Sequence, residues 1–283
     1  MSGAARYRDA QVGGCVEVAV DHRADGTTVL RSTEELHWFP SRLTDCLEQW
    51  AEEAPDRTLV ARRVKGGDWR HIGYRQMLYR ARRVGQALVD LGLSVDRPVA
   101  ILSGNDIEHL TLALGAMWAG VPYVPISTAY SLVSQDYGKL RHILATTTPG
   151  LVFASDGSYA KAIQATVGDD VTVVLTEGAI EGRATRSFDS LLATEPGPTL
   201  DAAHAAVGPD TIAKFLFTSG STKSPKGVIT THRMMCANLQ MIRQCLGFLA
   251  TEPPVLVDWL PWNHVFGGTH NTGIALYNGG TLY

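Results

Sequence analysis

The sequence predicts an α/β chain whose mostly parallel sheets are flanked by helices. Three observations carry this. Short apolar runs recur at Pro98 to Leu102, Tyr123 to Ile126, Leu151 to Ala154 and Val171 to Leu175, each the length of a buried strand. Segments with helical patterning stand between them, and that alternation is the signature of βαβ units. The bulk composition is that of a globular domain, with 45% hydrophobic and 19% charged residues among 283.

Taken in order, residues 1–13 read as a loose tail. Cys15 to Val20 and Thr27 to Arg31 are β-rich runs around Asp25-Gly26, a hairpin turn signal. Tail and hairpin (1–35) are therefore set apart from the main body (36–283). From Ser41 a helix is expected, with Leu43, Cys46, Leu47 and Trp50 at helical spacing and Pro55 as its stop. Thr58 to Arg62 and Trp69 to Ile72 are short strands. Tyr74 to Leu91 is an amphipathic helix with the stripe Met77, Leu78, Ala81, Val84, Leu88 and Leu91. Its Arg75, Arg80, Arg82 and Arg83 fall mostly off that stripe and read as a solvated face rather than a docking face. Gly92 fits the position after the helix. Asn105 with Glu108 reads as a capping-box variant opening a helix that runs to Gly120. Further helices are expected over Ser134 to Ala145, Ala160 to Val167 and Thr231 to Leu246. Glu177 to Asp210, rich in Gly, Pro, Thr and Ala, reads as an irregular connection with a short helix near Phe188 to Leu192. Val255 to Leu260 is a strand ended by Pro261. The chain closes on Thr281-Leu282-Tyr283 inside an apolar β-type run, which predicts an ending within a sheet.

The net charge of −3 argues against a dedicated nucleic-acid binder. No apolar run reaches the ~18 residues of a membrane span. Met1 to Gly14 has no apolar leader core, and the four cysteines, Cys15, Cys46, Cys236 and Cys245, form no C-x-x-C pair, so a cytoplasmic protein with reduced thiols is expected.

The stretch that points to chemistry is Thr218-Ser219-Gly220-Ser221-Thr222-Lys223-Ser224-Pro225-Lys226-Gly227, after the apolar run Ile212 to Phe217. Glycine lets backbone N–H groups approach phosphate oxygens, hydroxyls donate hydrogen bonds, and lysine supplies a compact cation. A generic Ser/Thr/Gly run is a solvated turn; the order of residues here argues otherwise. Walker A does not fit it, because no G-x-x-x-x-G-K-[ST] can be laid on it. His264 and His270 are poorly spaced for a metal, and neither Ser219 nor Ser221 sits in a G-x-S-x-G elbow.

The loop resembles the phosphate loop of the adenylate-forming (AMP-binding) superfamily, the acyl-CoA synthetases and their relatives. It departs at Lys223, where the family usually has glycine. Three further stretches resemble that superfamily in the expected order: Trp69 to Met77, Gly115 to Ile126 and Trp259 to Gly268. Ile101 to His109, Ala129 to Asp136, Thr231 to Asn238 and Leu260 to His264 resemble the feruloyl-CoA synthetases in particular.

The resemblance implies the incomplete large N-terminal domain of the acyl-adenylate-forming fold. It implies an acid–thiol ligase acting on an aromatic hydroxycinnamate such as ferulate, with ATP, Mg2+ and coenzyme A, and with neither nucleic acid nor membrane as partner. Thr218, Ser219, Gly220, Ser221 and Thr222 would cradle the β- and γ-phosphates, with Lys226 neutralising them. His264 would border the α-phosphate and the acyl carbonyl, with Phe266 as an aromatic wall of the acyl pocket. In the family the adenine motifs, the magnesium-binding glutamate and the small C-terminal domain with its adenylation lysine lie further on. Residues 1–283 alone are therefore expected not to turn over. The alternatives are a phosphate-binding module without catalysis and a sister enzyme for another carboxylic acid.

Overall fold

The computed structural model describes residues 10–14, 17–63, 67–218 and 224–283. In chain order the elements are β1 (Val18–His22), β2 (Thr28–Ser32), α1 (Leu43–Glu53), β3 (Thr58–Arg63), β4 (Trp69–Gly73), α2 (Tyr74–Asp90), β5 (Val99–Leu102), α3 (Ile107–Ala119), β6 (Tyr123–Pro125), α4 (Ala129–Leu132), α5 (Gly138–Thr147), β7 (Leu151–Ala154), α6 (Ala160–Thr166), β8 (Thr172–Leu175), β9 (Arg186–Ser187), α7 (Phe188–Leu192), α8 (Pro198–Ala206), β10 (Ile212–Thr218), β11 (Lys226–Thr231), α9 (His232–Cys245), β12 (Val255–Leu256), α10 (Thr272–Tyr277) and β13 (Thr281–Leu282).

A seven-stranded sheet runs β11-β10-β6-β5-β7-β8-β9, and all its pairings are parallel except β10 with β11. A four-stranded sheet runs β12-β13-β3-β4, with β13 parallel to both neighbours. β1 and β2 form a separate hairpin. The large sheet is covered on both faces, which is why its strands are continuous apolar runs. Val99 and Ile101 of β5 enter the core shared with α2 and α3, while Ala100 and Leu102 enter a second core with α5 and α6. α2 and α3 cross closely. A Cβ at Gly115 would stand 2.7 Å from Val84 Cγ1, so this contact requires glycine.

The predicted α/β class and most elements match the structure. The exceptions have local causes. Ser134 to Ala145 is not one helix: Ser134 Oγ accepts from Tyr137 N and Asp136 Oδ1 from Gly138 N, and these bonds replace a helical turn before α5. Asn105 is not a cap. The residue before α3 is Asp106, whose carboxylate accepts from His109 N. The arginines of α2 are not a solvated face. Arg80 Nη2 lies 3.3 Å from the buried Glu108, Arg83 donates to Leu192 O and pairs with Glu195, and Arg82 reaches Asp201. Only Arg75 of the four is exposed.

The connection at 177–210 holds a second helix, α8, opened by Pro198 at its first position. Strand β11 was hidden by the glycine- and lysine-rich start of its sequence. Beyond Leu256, the expected strand gives way to a turn in which Asp258 Oδ1 accepts from Leu260 N. Cys15, at the start of the expected first strand, lies outside the described residues. No helix among the described residues is long and apolar enough to cross a membrane.

Candidate functional site

β10 and β11 form the edge hairpin that carries the phosphate-loop sequence. Thr218 and Lys226 are register partners at its open end, and both are exposed. Ser219, Gly220, Ser221 and Thr222, together with Lys223, lie between them and outside the described residues. The far flank of the loop is anchored from α5: His142 Nε2 donates to the carbonyl of the buried Pro225 at 2.9 Å. An open cleft of about 570 Å3, lined by Tyr130, Lys139, His142, Ser224 and Pro225, borders that flank. The described flank, Ser224 and Pro225, therefore lines a cleft.

The second part of the site is the segment 260–271. Asn105 staples its entry, its amide donating to Leu260 O and its carbonyl accepting from Trp262 N at 2.8 and 2.9 Å. Trp262 is buried edge-on against His109, whose ring is held by Ser103 Oγ and Gly104 O. His264 is exposed. Its N–H donates to Pro261 O, its Nδ1 accepts from Phe266 N at 3.4 Å, and its carbonyl accepts from Gly268 N. Phe266–Asn271 then winds as a π turn, a geometry frequent at functional sites. Phe266 stands half-exposed and stacks on His270 at 4.5 Å. Gly268 admits no side chain, since a Cβ there would lie 1.9 Å from Trp262 O.

Lys214 brings the two parts together. It sits on β10, four residues before Thr218, and is fully buried. Its Nζ donates to Gly268 O at 2.9 Å and to Thr269 Oγ1 at 2.5 Å, and lies 5.7 Å from the centre of the Tyr123 ring. Burial lowers its amine from the ordinary 10.5 to about 7. Burial also lowers His109, to about 4, with Lys214 adding to the effect and the Gly104 bond opposing it.

Thr218 and Lys226 thus meet across the hairpin, and His264 and Phe266 share the wall segment. Lys214 is signalled in sequence only as a single charge inside the apolar run Ile212 to Phe217. Asn105, expected as a cap, is a staple instead, and nothing in sequence marks His142 as the anchor of Pro225. Among the described residues, one group of His, Cys, Asp and Glu side chains lies close enough to hold a metal: Asp45, Glu48 and His204. It belongs to α1 and α8, neither of which carries a residue of the loop or the wall.

Comparison with known proteins agrees with this architecture. The chain is 28% identical over 250 residues to a 3-(7a-methyl-1,5-dioxo-octahydro-1H-inden-4-yl)propanoyl:CoA ligase of Rhodococcus jostii strain RHA1, covering 86% of this chain and 47% of that protein. It is 28% identical over 240 residues to a 4-hydroxyphenylalkanoate adenylyltransferase of Mycobacterium marinum, covering 80% and 35%. It spans half or less of the length of these relatives. Among solved structures, an adenylation domain of a keto acid-selecting NRPS module bound to keto acyl adenylate superposes with a TM-score of 0.70 at 22% identity, over 88% of this chain and 42% of that one. Apo MatB from Rhodopseudomonas palustris superposes with a TM-score of 0.61 at 25% identity, over 85% and 44%. The AMP-binding enzyme family profile matches residues 47–283, which takes in every element from the body of α1 onward, and the chain belongs to that family.

Proposed function

We propose that this chain supplies the phosphate-gripping loop and the acyl wall of an ATP-dependent acid–thiol ligase for an aromatic acid of the hydroxycinnamate type. One observation carries the reading: the strand that ends in the phosphate loop is fastened, through Lys214, to the turn that holds the aromatic wall.

In the first half-reaction a carboxylate oxygen attacks the α-phosphorus of ATP and the bond to pyrophosphate breaks, giving an acyl-adenylate. In the second, the thiol of coenzyme A attacks the acyl carbon and AMP leaves. Negative charge gathers on the departing pyrophosphate. The hydroxyls of Thr218, Ser219, Ser221 and Thr222, the backbone of Gly220 and the ammonium of Lys226 are the donors assigned to take it up. Magnesium, when bound with the phosphates, would add neutralising charge; the chain's contribution here is the hydroxyl and ammonium set, since among the described residues the Asp45, Glu48 and His204 group lies on other elements. His264, exposed on the wall segment, is assigned to the meeting point of α-phosphate and acyl carbonyl. Phe266 offers its ring face to the acid, a contact worth about 0.5–1.5 kcal/mol. An aromatic acid also suits the company of relatives, one of which is a 4-hydroxyphenylalkanoate adenylyltransferase. Residues 36–283 form the catalytic body in this reading, with 1–35 appended to it.

The test is pyrophosphate binding measured by calorimetry on this chain. Lys226→Ala should weaken it about 10- to 100-fold, the value of a hydrogen bond to a charged group, and equal affinity would remove the role assigned to Lys226. Residues 1–283 alone should bind without catalysing ATP–pyrophosphate exchange in the presence of ferulate. Thioester formation from ferulate, a 4-hydroxyphenylalkanoate and octanoate, assayed on the longest open frame containing the chain, decides the acid. Preference for octanoate would overturn the aromatic assignment.

A further inference from the structure

A lysine is an improbable occupant of its position on β10. The neighbouring Ala213 and Leu216 are buried and apolar, and the strand pairs on both sides, with Tyr123 of β6 and Thr230 of β11 opposite Lys214. Removing an ammonium from water costs several kcal/mol unless it is paired. Among the described residues no carboxylate pairs with Lys214; its partners are a carbonyl, a hydroxyl and an aromatic face. Any aliphatic residue would fill the space more cheaply. What lysine alone provides is reach, a four-carbon stem that crosses from the sheet to the π turn and ends in several donors.

The position of its targets gives that reach a purpose. Gly268 cannot carry a side chain, and a Cβ at Gly267 would stand 2.6 Å from Leu260 O, so the turn is packed tightly against its own entry. The chain on the far side of the turn continues into α10. Lys214 ties this unit to β10. Thr218 lies four residues along that strand, about 13 Å at 3.3 Å per residue.

We propose that Lys214 is a positioning residue: it fastens the segment bearing His264 and Phe266 to the strand that ends in the phosphate loop, and so fixes the distance between the acid's wall and the phosphates. Its functional meaning rests on the adenylate-forming reading above. Misplacement of reacting groups by about 1 Å is enough to slow a reaction about 100-fold, and a tether of this kind prevents the two halves of the site from shifting independently.

Amide hydrogen exchange of the chain without nucleotide or acid is the test. Lys214→Met, which keeps the stem and loses the donors, should raise exchange at Gly267 to Asn271 by about 10- to 100-fold, the loss expected for charge-assisted bonds. β5 and β7 should exchange as in the wild type. Thr269→Val should produce a smaller rise in the same segment and Thr269→Ser should restore protection, a rescue that a purely space-filling role for Lys214 does not produce. Should Lys214→Met fail to fold, the Thr269 pair decides alone. Unchanged exchange in the turn, or a rise spread evenly over the sheet, would overturn the proposal. Pyrophosphate binding is measured separately, so a wild-type chain that fails to bind it counts against the ATP reading and leaves the exchange result readable.

Discussion

The middle of the seven-stranded sheet and its β10–β11 edge are built on opposite principles. β5 and β7 are four apolar residues each, buried on both faces, with no ionisable side chain between them. The edge hairpin buries a lysine, exposes Thr218 and Lys226 at its open end, and leans on a wall segment anchored by Asn105 and lined by histidines. Apolar burial is non-directional and tolerant, whereas the edge depends on individually placed polar contacts that cost free energy when left unmade. The difference teaches where stability resides: the middle holds the fold, and the edge presents exposed polar groups on a frame of placed contacts.

The largest effect is expected beneath the middle. Glu108 receives Arg80 at 3.3 Å and Arg70 at 3.2 Å, and only Arg70 of the two arginines is substantially exposed. Glu108→Gln leaves Arg80 buried without its charge partner and should cost about 3–5 kcal/mol in urea unfolding. A loss under 1 kcal/mol would show that the middle tolerates charge as readily as the edge.

Acid should act through two buried histidines. Burial lowers both His109, beneath Trp262, and His232, at the start of α9, to about 4. Their unfolded values lie near 6.5, so between pH 6.5 and 4 these two rings bind more protons in the unfolded chain than in the folded one; Asp106, which burial raises to about 6, binds its proton more readily in the folded chain and offsets part of this below pH 6. The two histidines therefore withdraw stability as pH falls through that window, by about 3 kcal/mol each once protonated in both states, and the net loss is smaller by the Asp106 contribution. His232 Nδ1 accepts from Leu43 N at the start of α1, a bond that protonation abolishes. Hydrogen exchange at pH 7 and pH 4.5 should show the α1–α9 contact loosening first; equal loosening of β5 and β7 would dissolve the distinction.

Gly115→Ala tests the close helix crossing and should cost about 1–3 kcal/mol by overpacking, read as a shift in urea midpoint. The smallest effect is Asn105→Ala. Losing its two staples to Leu260 and Trp262 should lower stability by about 1 kcal/mol and raise proteolysis confined to 260–266. Cleavage elsewhere would show that the wall segment is not an independent unit.

The same contrast explains what was legible in sequence. The middle was readable because continuous apolar runs have one solution, a strand covered on both faces, and so β5, β6, β7 and β8 stand within a residue or so of expectation. The loop sequence and wall motif were legible as a pattern of residue types. What escaped was set by contacts distant along the chain. Asn105 looked like a local cap because sequence shows Glu108 three residues away and not Leu260. The arginines of α2 looked solvated because Glu108, Leu192 and Asp201 are brought to them only by folding. β11 was masked because its first residues, Lys226 and Gly227, are chosen for the loop rather than for strand propensity.

Phe266 projects from a turn whose shape is dictated by Gly267, Gly268 and the lysine behind them, and about half of its own surface touches nothing. Exchanging it for a smaller or polar residue removes little of what keeps the chain folded. Under the proposed reading, a lineage of such proteins is free to retool its choice of acid at this ring, while the scaffold that aims it stays unaltered.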